Sequence, residues 1–337
     1  MPPLGPNRAA VLYAPGDVRV EARPTPAPGP LDVVVEVAAV GVCGSDVHYY
    51  EHGRIGPRVV RAPLVLGHES AGRVVAVGER VTRHRVGERV ALEPGRPCGR
   101  CRECRAGRYN LCRTVAFFGS PPVDGTFTRF VAQHEDFAHA LPDGLSDEAG
   151  ALMEPLSVAL WACAKAAVSA ADRVLVTGAG PIGLLTVQVA RTRGATEVVV
   201  TDVNERRLEL ARATGATRTA RAGAALDEAD ALIECSGHPQ ALRDGIGALR
   251  PGGTAVVVGM AADPDAVVPL SLLQSRELWL TGTFRYAGTY PAAIALAVAG
   301  YVDLDAIVTG HFDLGDAEAA LRAGREDPGS VKVILRP

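Results

Sequence analysis

Four cysteines in the first half of the chain have a spacing that is typical of metal binding. The pattern is Cys98-x-x-Cys101-x-x-Cys104, followed by Cys112. Four thiolates bind zinc tetrahedrally, and such a site folds the loop around the metal without taking part in catalysis. An iron–sulfur cluster is the alternative, but Cys112 lacks the following proline of the bacterial ferredoxin pattern. The cysteines therefore predict a structural zinc site.

A second set of possible metal ligands consists of Cys43, His68 and Glu69. Cys43 follows one predicted strand, and the pair His68-Glu69 follows another. A thiolate, an imidazole and a carboxylate suit a catalytic zinc, which keeps one coordination position for water or substrate. The residue types alone leave a second interpretation open, because an isolated cysteine is often a small buried side chain.

A glycine-rich segment, Gly178-Ala179-Gly180-Pro181-Ile182-Gly183, has the form of a phosphate-binding turn. It follows a predicted strand, Val174–Thr177, and opens a predicted helix. In this context the glycines allow a tight turn, close approach of a pyrophosphate and packing of the helix on the strand. The helix N-terminus attracts the phosphates. The segment therefore predicts a dinucleotide site.

Asp202 ends the next predicted strand. A carboxylate at this place accepts hydrogen bonds from a ribose 2′-OH and repels a 2′-phosphate, which favours NAD over NADP. The neighbouring Arg206 and Arg207 leave NADP open, because an arginine there can bind the phosphate.

The elements that must position these residues are of two kinds. From about Ala9 to Leu141, short β-rich runs alternate with glycine and proline turns, which indicates a strand-dominated domain. From Arg173 onward, strands alternate with helices, which indicates a parallel sheet covered on both faces. The 337 residues are also enough for two domains, so the predicted fold class is α/β.

Composition excludes several classes of function. The formal net charge of -3 gives no electrostatic basis for binding nucleic acid or an anionic membrane. No apolar run approaches the ~18 residues of a transmembrane helix, and the segment Met1–Val20 has no signal-type apolar core. A cytoplasmic location is therefore expected. The odd cysteine count, seven, argues against a disulfide framework.

Several motifs occur in a characteristic order along nearly the whole chain. They are Val40–Gly56, Pro63–Ser70, Met153–Val158, the glycine-rich segment and Phe284–Tyr286. With these motifs the chain resembles the zinc-containing medium-chain alcohol dehydrogenase superfamily, and within it the sorbitol/xylitol (polyol) dehydrogenases.

The resemblance implies a Rossmann doubly wound parallel sheet plus a GroES-like β-rich catalytic domain. The implied bounds are 1–156 for the catalytic domain with its zinc lobe near 96–113, 157–284 for the NAD-binding domain, and 285–337 for a return to the catalytic domain. One departure is expected. The stretch Arg221–Asp230 is too short for the usual strand, helix and connection, so one covering helix should be reduced or lost.

The resemblance also implies roles for individual residues. Cys43, His68 and Glu69 match catalytic-zinc ligands, and Glu154 matches a glutamate that contacts the metal directly or through its water. Asp46 should orient the histidine ligand, and Ser45 with His48 should pass a proton towards solvent. The implied polyol contacts are Tyr50, Glu154, Arg285 and Tyr286. The implied cofactor contacts are Gly178, Gly180, Pro181, Ile182, Gly183, Asp202, Arg207, Val258, Gly259, Thr283, Phe284 and Arg285.

These residues predict an NAD-dependent enzyme with two zinc ions per chain that oxidises a secondary hydroxyl of a sugar alcohol to a ketose. A threonine or aminocyclitol dehydrogenase is the alternative enzyme, and a catalytically inactive NAD-binding protein is the alternative outside enzymes. A homotetramer or homodimer is expected, with Leu278–Thr281 as a pairing surface. The sequence does not choose among the polyols.

Overall fold

The computed structural model describes residues 5–261 and 265–337, which form two compact units. The first unit contains the chain up to Glu154 together with Tyr290–Val298 and Val308–Pro337. The second contains Pro155–Thr289 and Ala299–Ile307. The last part of the chain therefore divides between the two units.

The described residues form twenty strands and ten α-helices. The strands are β1 (Asn7–Ala14), β2 (Asp17–Arg23), β3 (Asp32–Gly41), β4 (Arg54–Ile55), β5 (Arg58–Val59), β6 (Leu64–Val65), β7 (Glu69–Val77), β8 (Arg89–Leu92), β9 (Gly95–Arg96), β10 (Ala116–Phe117), β11 (Phe130–His134), β12 (Ala138–Ala140), β13 (Arg173–Thr177), β14 (Glu197–Asp202), β15 (Arg218–Arg221), β16 (Ala229–Glu234), β17 (Leu249–Val257), β18 (Trp279–Gly282), β19 (Val308–Asp313) and β20 (Lys332–Arg336). The α-helices are α1 (Gly44–His52), α2 (Arg102–Arg105), α3 (Asp147–Ala151), α4 (Met153–Lys165), α5 (Pro181–Thr192), α6 (Glu205–Ala213), α7 (Pro239–Gly247), α8 (Leu270–Ser275), α9 (Tyr290–Val298) and α10 (Ala317–Glu326).

A seven-stranded sheet dominates the first unit. Its order is β12-β8-β7-β3-β20-β19, and β11 also pairs with β3. The valine-rich β3 is buried along most of its length, because β-branched side chains pack well on a pleated surface. β20, from the end of the chain, pairs antiparallel with the end of β3 through Ile334 opposite Gly41. The β-rich character predicted for this part of the chain is confirmed.

A six-stranded parallel sheet forms the centre of the second unit. Its order is β15-β14-β13-β16-β17-β18. This is the doubly wound order, in which the chain reverses direction across the sheet between β13 and β16. The middle of β13, Val174–Val176, is buried, as expected for a strand covered by helices on both faces. The predicted Rossmann sheet is confirmed.

The expected loss of a covering helix is also confirmed. β15 ends at Arg221 and β16 begins at Ala229, and the residues between them form a turn and an irregular segment without a helix. Elsewhere in residues 5–261 and 265–337, no helix combines the length and the apolar character needed to cross a membrane.

Candidate active site and cofactor site

The three residues Cys43, His68 and Glu69 converge in the first unit because of strand register. Antiparallel pairing of β3 with β7 places Gly41 opposite Glu69. Cys43 follows β3 as the N-cap of α1, and His68 precedes β7 directly. The candidate donor atoms of the three side chains all lie within 4.8 Å of one another. This group, called here the Cys43 cluster, has the ligand types of a catalytic zinc.

A buried carboxylate, Asp46, holds the Cys43 cluster together. Its two oxygens accept hydrogen bonds from the backbone N–H groups of Cys43 and Gly67, each at 3.0 Å. One oxygen also lies 3.5 Å from Nδ1 of His68. Burial opposes protonation of His68, but the charges of Asp46 and Cys43 outweigh it and raise the pKa of the imidazole well above its ordinary value. Asp46 thus orients the histidine and leaves Nε2 for a metal.

Sequence reasoning missed a buried cation at this site. Nζ of Lys332, on β20, lies 2.9 and 2.8 Å from the two carboxylate oxygens of Glu69 and donates to the carbonyl of Val42. Burial disfavours the charged amine, but Glu69 and Cys43 outweigh it and raise the pKa of Lys332. One signal was available. Lys332 and Lys165 are the two lysines of a chain that otherwise uses arginine, and Lys332 lies in an apolar run.

Glu154 adds a further acidic group in the first unit. It lies in the first turn of α4 and is 5% exposed. Burial lowers the pKa of Lys332, and the charge of Glu154 opposes this effect after the larger contributions of Glu69 and Cys43. Several buried acidic groups around one lysine leave an excess of negative charge, which suits a divalent cation. The donor set therefore fits zinc.

The ion pair of Lys332 with Glu69 makes a prediction about stability. Lys332→Met leaves a buried carboxylate without its cation, which should lower the free energy of unfolding of the metal-free protein by about 3–5 kcal/mol. The loss should be smaller with zinc present, because zinc then balances Glu69. Denaturant unfolding with and without zinc measures both values.

The matched control for this experiment is Lys165→Met, because Lys165 is the other lysine and is exposed. It should leave unfolding unchanged. Equal unfolding curves for the two variants would show that the buried pair does not stabilise this unit.

Besides Asp46, the helix α1 carries three predicted site residues. Ser45 and His48 are three positions apart and so share one face of the helix. Tyr50 is buried, and its hydroxyl donates to Oε1 of Glu318 on α10 at 2.8 Å. Burial and this hydrogen bond raise the pKa of the phenol. The tyrosine predicted to contact the polyol thus uses its hydroxyl to hold α1 against α10.

The four lobe cysteines also converge. The sulfurs of Cys101 and Cys104 are 3.4 Å apart, and those of Cys98 and Cys104 are 4.0 Å apart. The sulfurs of Cys98, Cys101 and Cys112 accept backbone N–H groups, as thiolates in a closed zinc site do. The N–H groups of Arg100 and Cys101 lower the pKa of Cys98 to about 6, which favours its thiolate.

A buried carboxylate that sequence reasoning missed, Glu93, ties this lobe to the sheet. Glu93 follows β8 and is 3% exposed. It accepts the hydroxyl of Tyr109, which lies between the third and fourth cysteines, at 2.7 Å. Its other oxygen lies 2.9 Å from Nε2 of His139, whose ring stacks on Tyr290. The lobe is therefore fixed to three separate parts of the first unit.

The lobe cysteines predict a stability effect that is separate from catalysis. Cys101→Ser should lower the melting temperature and remove about one zinc per chain, because the closed site folds its own loop. Differential scanning calorimetry and elemental analysis measure these quantities. Cys163→Ser is the control for zinc content, because Cys163 belongs to the second unit, where burial raises its pKa to about 12. A Cys101→Ser protein with full zinc content would contradict the structural site.

The glycine-rich turn lies between β13 and α5 in the second unit. Gly178 has φ 90°, and a Cβ on Gly183 would overlap the carbonyl oxygen of Gly178. Gly180 is the N-cap of α5, with open space where a Cβ would stand. Glycine is therefore required at each position for a different reason. Gly178 adopts a left-handed conformation, Gly183 lets the helix pack closely, and Gly180 leaves access for a phosphate. Pro181 begins the helix, where its missing N–H costs nothing.

Asp202 is coupled to this turn. One oxygen accepts the N–H of Ala179 at 2.7 Å, and the other accepts the N–H of Asn204 at 2.8 Å. Asn204 in turn caps α6 by accepting the N–H of Arg207. The carboxylate is thus held at the carboxyl end of β14, the side of a parallel sheet on which dinucleotides bind.

A third carboxylate, Glu234, organises the loops at the point where the sheet reverses. Its Oε1 accepts N–H groups of Ser236 and Gly237 at 2.7 and 2.9 Å. The backbone carbonyl of Glu234 accepts the backbone N–H groups of Val258 and Gly259 at 2.8 and 2.9 Å. An acid at the end of the apolar run Ala231–Glu234 was the available signal. Glu234 fixes two predicted cofactor contacts through backbone bonds.

The remaining predicted contacts follow β18. The backbone N–H of Thr283 donates to the carbonyl oxygen of Val257. Tyr286 is 3% exposed. Arg285 has φ 53°, a conformation that an arginine adopts at a cost of about 1–3 kcal/mol, and its guanidinium lies over the ring of Phe284. Such local strain is typical of functional segments.

Comparison with known proteins identifies the families that match this chain. The "Alcohol dehydrogenase GroES-like domain" family matches residues 29–143, and the "Zinc-binding dehydrogenase" family matches residues 181–299. Sorbitol dehydrogenase from Mus musculus is 42% identical over 99% of this chain and 97% of its own length. Probable D-xylulose reductase A from Aspergillus fumigatus is 42% identical over 98% and 96% of the two chains.

Among solved structures, an alcohol dehydrogenase from Escherichia coli in complex with NADH has a TM-score of 0.92 to this chain. It is 28% identical, and the match covers 98% of this chain and 99% of that one. Sequence and fold thus agree over almost the whole length. The chain belongs to the zinc-dependent medium-chain alcohol dehydrogenases, in the polyol dehydrogenase family.

Proposed function

We propose that this protein oxidises a secondary hydroxyl of a sugar alcohol to the ketose, with NAD as the hydride acceptor. The observation that carries the proposal is the convergence of a thiolate, an imidazole and a carboxylate in the Cys43 cluster, in a chain of this family. The names of its relatives, sorbitol dehydrogenase and D-xylulose reductase, support a polyol substrate.

Cys43, His68 and Glu69 would hold the catalytic zinc, with Glu154 as a direct or water-mediated contact. When bound, zinc supplies Lewis acidity that favours the alkoxide of the substrate near neutral pH. Asp46 fixes the imidazole, and Lys332 fixes the carboxylate of Glu69. These contacts keep the ligands ordered, so little reorganisation is needed during the reaction.

Glu154 would accept the proton of the substrate hydroxyl, because it is a buried carboxylate close to the Cys43 cluster. Ser45 and His48 would pass a proton onward along α1, since they share one helical face. When bound, NAD would supply the hydride-accepting chemistry, which belongs to the cofactor.

Polyol recognition is proposed for four residues. Glu154 and Arg285 offer an acceptor and a set of fixed donors that match neighbouring hydroxyls. Tyr50 and Tyr286 are proposed as the other two polyol contacts, and each is buried within its own unit. For Tyr50 this role belongs to the ring, because its hydroxyl bonds Glu318.

The lobe cysteines Cys98, Cys101, Cys104 and Cys112 would hold a second, structural zinc. We propose that 1–156 and 285–337 form a catalytic domain and that 157–284 form an NAD-binding domain; of the compact units, the second also includes 285–289 and 299–307. NAD, rather than NADP, is proposed because Asp202 is held at the carboxyl end of β14. The remaining proposed cofactor contacts are Gly178, Gly180, Pro181, Ile182, Gly183, Arg207, Val258, Gly259, Thr283, Phe284 and Arg285.

A homotetramer or homodimer is proposed, with the protein in the cytoplasm. β18 lies at one edge of the parallel sheet, and its Trp279 is 72% exposed. An exposed apolar edge strand is a template for pairing with a second chain. Sedimentation velocity distinguishes these assemblies from a monomer.

The substrate proposal is tested by NAD reduction with sorbitol, xylitol, arabinitol, galactitol and ribitol, with threonine as the rival substrate. We expect turnover of at least one polyol, and loss of that turnover after treatment with a zinc chelator. Cys43→Ser should abolish turnover while keeping the melting temperature. Turnover of threonine alone, or full activity of Cys43→Ser, would contradict the proposal.

The choice of NAD is tested with Asp202→Asn. The amide oxygen can still accept the N–H of Ala179, so the glycine-rich turn keeps this contact, while the charge and the bond from the N–H of Asn204 are lost. The ratio of kcat/KM for NADP to that for NAD should rise at least about tenfold, since a charged hydrogen bond contributes about 1.5–3 kcal/mol. Asp244→Asn, on α7, is the control. An unchanged ratio would remove Asp202 from the cofactor site.

A further inference from the structure

Two histidines on α1 lie side by side outside the Cys43 cluster. His48 and His52 are four positions apart, so they share one face of the helix. Their ring centroids are 5.7 Å apart, and the ring planes are tilted by 51°. The sequence motifs assign His48 to proton transfer and give His52 no role.

The surroundings of this pair suit a cation. The side chain of His52 is 59% exposed, and Oε2 of Glu51 lies 3.8 Å from its Nε2. His52 is the last residue of α1, where Gly53 caps the helix in a left-handed conformation. The C-terminal end of a helix carries partial negative charge and attracts cations.

Two imidazoles at this separation are a chelating pair. Neutral imidazole is a preferred ligand of Zn²⁺, Ni²⁺ and Cu²⁺, and histidines four apart on a helix hold zinc in metalloproteases. Metal–nitrogen bonds of about 2.0–2.1 Å bring two coordinated rings to nearly the spacing seen here, so side-chain rotation alone closes the site. We propose that His48 and His52 bind one divalent transition-metal ion, separate from the two zinc sites, with Glu51 or water completing its coordination.

This ion would inhibit the enzyme. A metal bound to His48 occupies the nitrogen lone pair that proton transfer requires, so the outward passage of the proton from Ser45 is blocked. This consequence rests on the proposed function, whereas the binding itself does not. Excess free zinc or nickel should therefore slow turnover without removing zinc from the Cys43 cluster.

The binding is tested by calorimetric titration of the zinc-loaded protein with NiCl₂. We expect one additional metal per chain, with zinc content unchanged by elemental analysis. His52→Gln should weaken this binding about 100-fold, because the second ligand of a chelate acts at high effective concentration. His311→Gln is the matched control, because His311 is also exposed beside a carboxylate, that of Glu148 at 3.5 Å, and it should bind nickel like the wild type.

Equal nickel binding by His52→Gln and wild type, or no additional metal in the wild type, would overturn the site. Turnover is the second readout. His52→Gln should keep the basal rate and require about 100-fold more nickel for half-inhibition. Nickel that binds the pair without slowing the wild type would overturn the inhibitory role. Failure of polyol turnover in the absence of nickel would instead count against the proposed function and leaves the titration valid.

Discussion

The buried ion pair between Lys332 and Glu69 is the constraint on which the first unit depends. Both side chains are 2% exposed or less, and a buried charge is tolerated only when it is paired and hydrogen-bonded. Lys332 comes from the end of the chain, and Glu69 begins β7, next to the predicted histidine ligand. The site therefore requires two parts of this unit that are far apart in sequence. β20 has a chemical as well as a structural role.

Carboxylates that accept backbone N–H groups recur in both units. Asp46 holds the segments that carry Cys43 and His68, Asp202 holds the glycine-rich turn, and Glu234 holds the loops at the reversal of the sheet. Charge-assisted bonds of this kind are stronger than neutral ones and fix loop geometry. A loop that must present backbone or metal ligands accurately is thus held by a buried acid in each case. The same arrangement explains why the predicted ligands converge although they are distant in sequence.

Much of the architecture could be predicted from the sequence because its signals are local. The glycine-rich segment, the cysteine spacing and the short stretch before Ala229 each depend on a few neighbouring residues, and the parallel sheet follows from alternating strands and helices. Lys332, Glu93 and Glu234 could not be found in this way, since their importance comes from partners far along the chain. The hydroxyl of Tyr50 shows the same limit: a motif places the residue on α1, but only packing against α10 reveals its bond to Glu318. The catalytic roles of the Cys43 cluster stay predictions until a metal is observed.

The most direct test of this account is anomalous diffraction at the zinc edge from crystals of the zinc-loaded protein. Apart from an ion at His48 and His52, we predict two peaks per chain, one among the four lobe cysteines and one at bonding distance from Cys43 and His68, with Lys332 still in contact with Glu69. A single peak in the lobe, with the Cys43 cluster empty at full zinc loading, would contradict the account and indicate a protein that binds a dinucleotide without zinc-dependent chemistry.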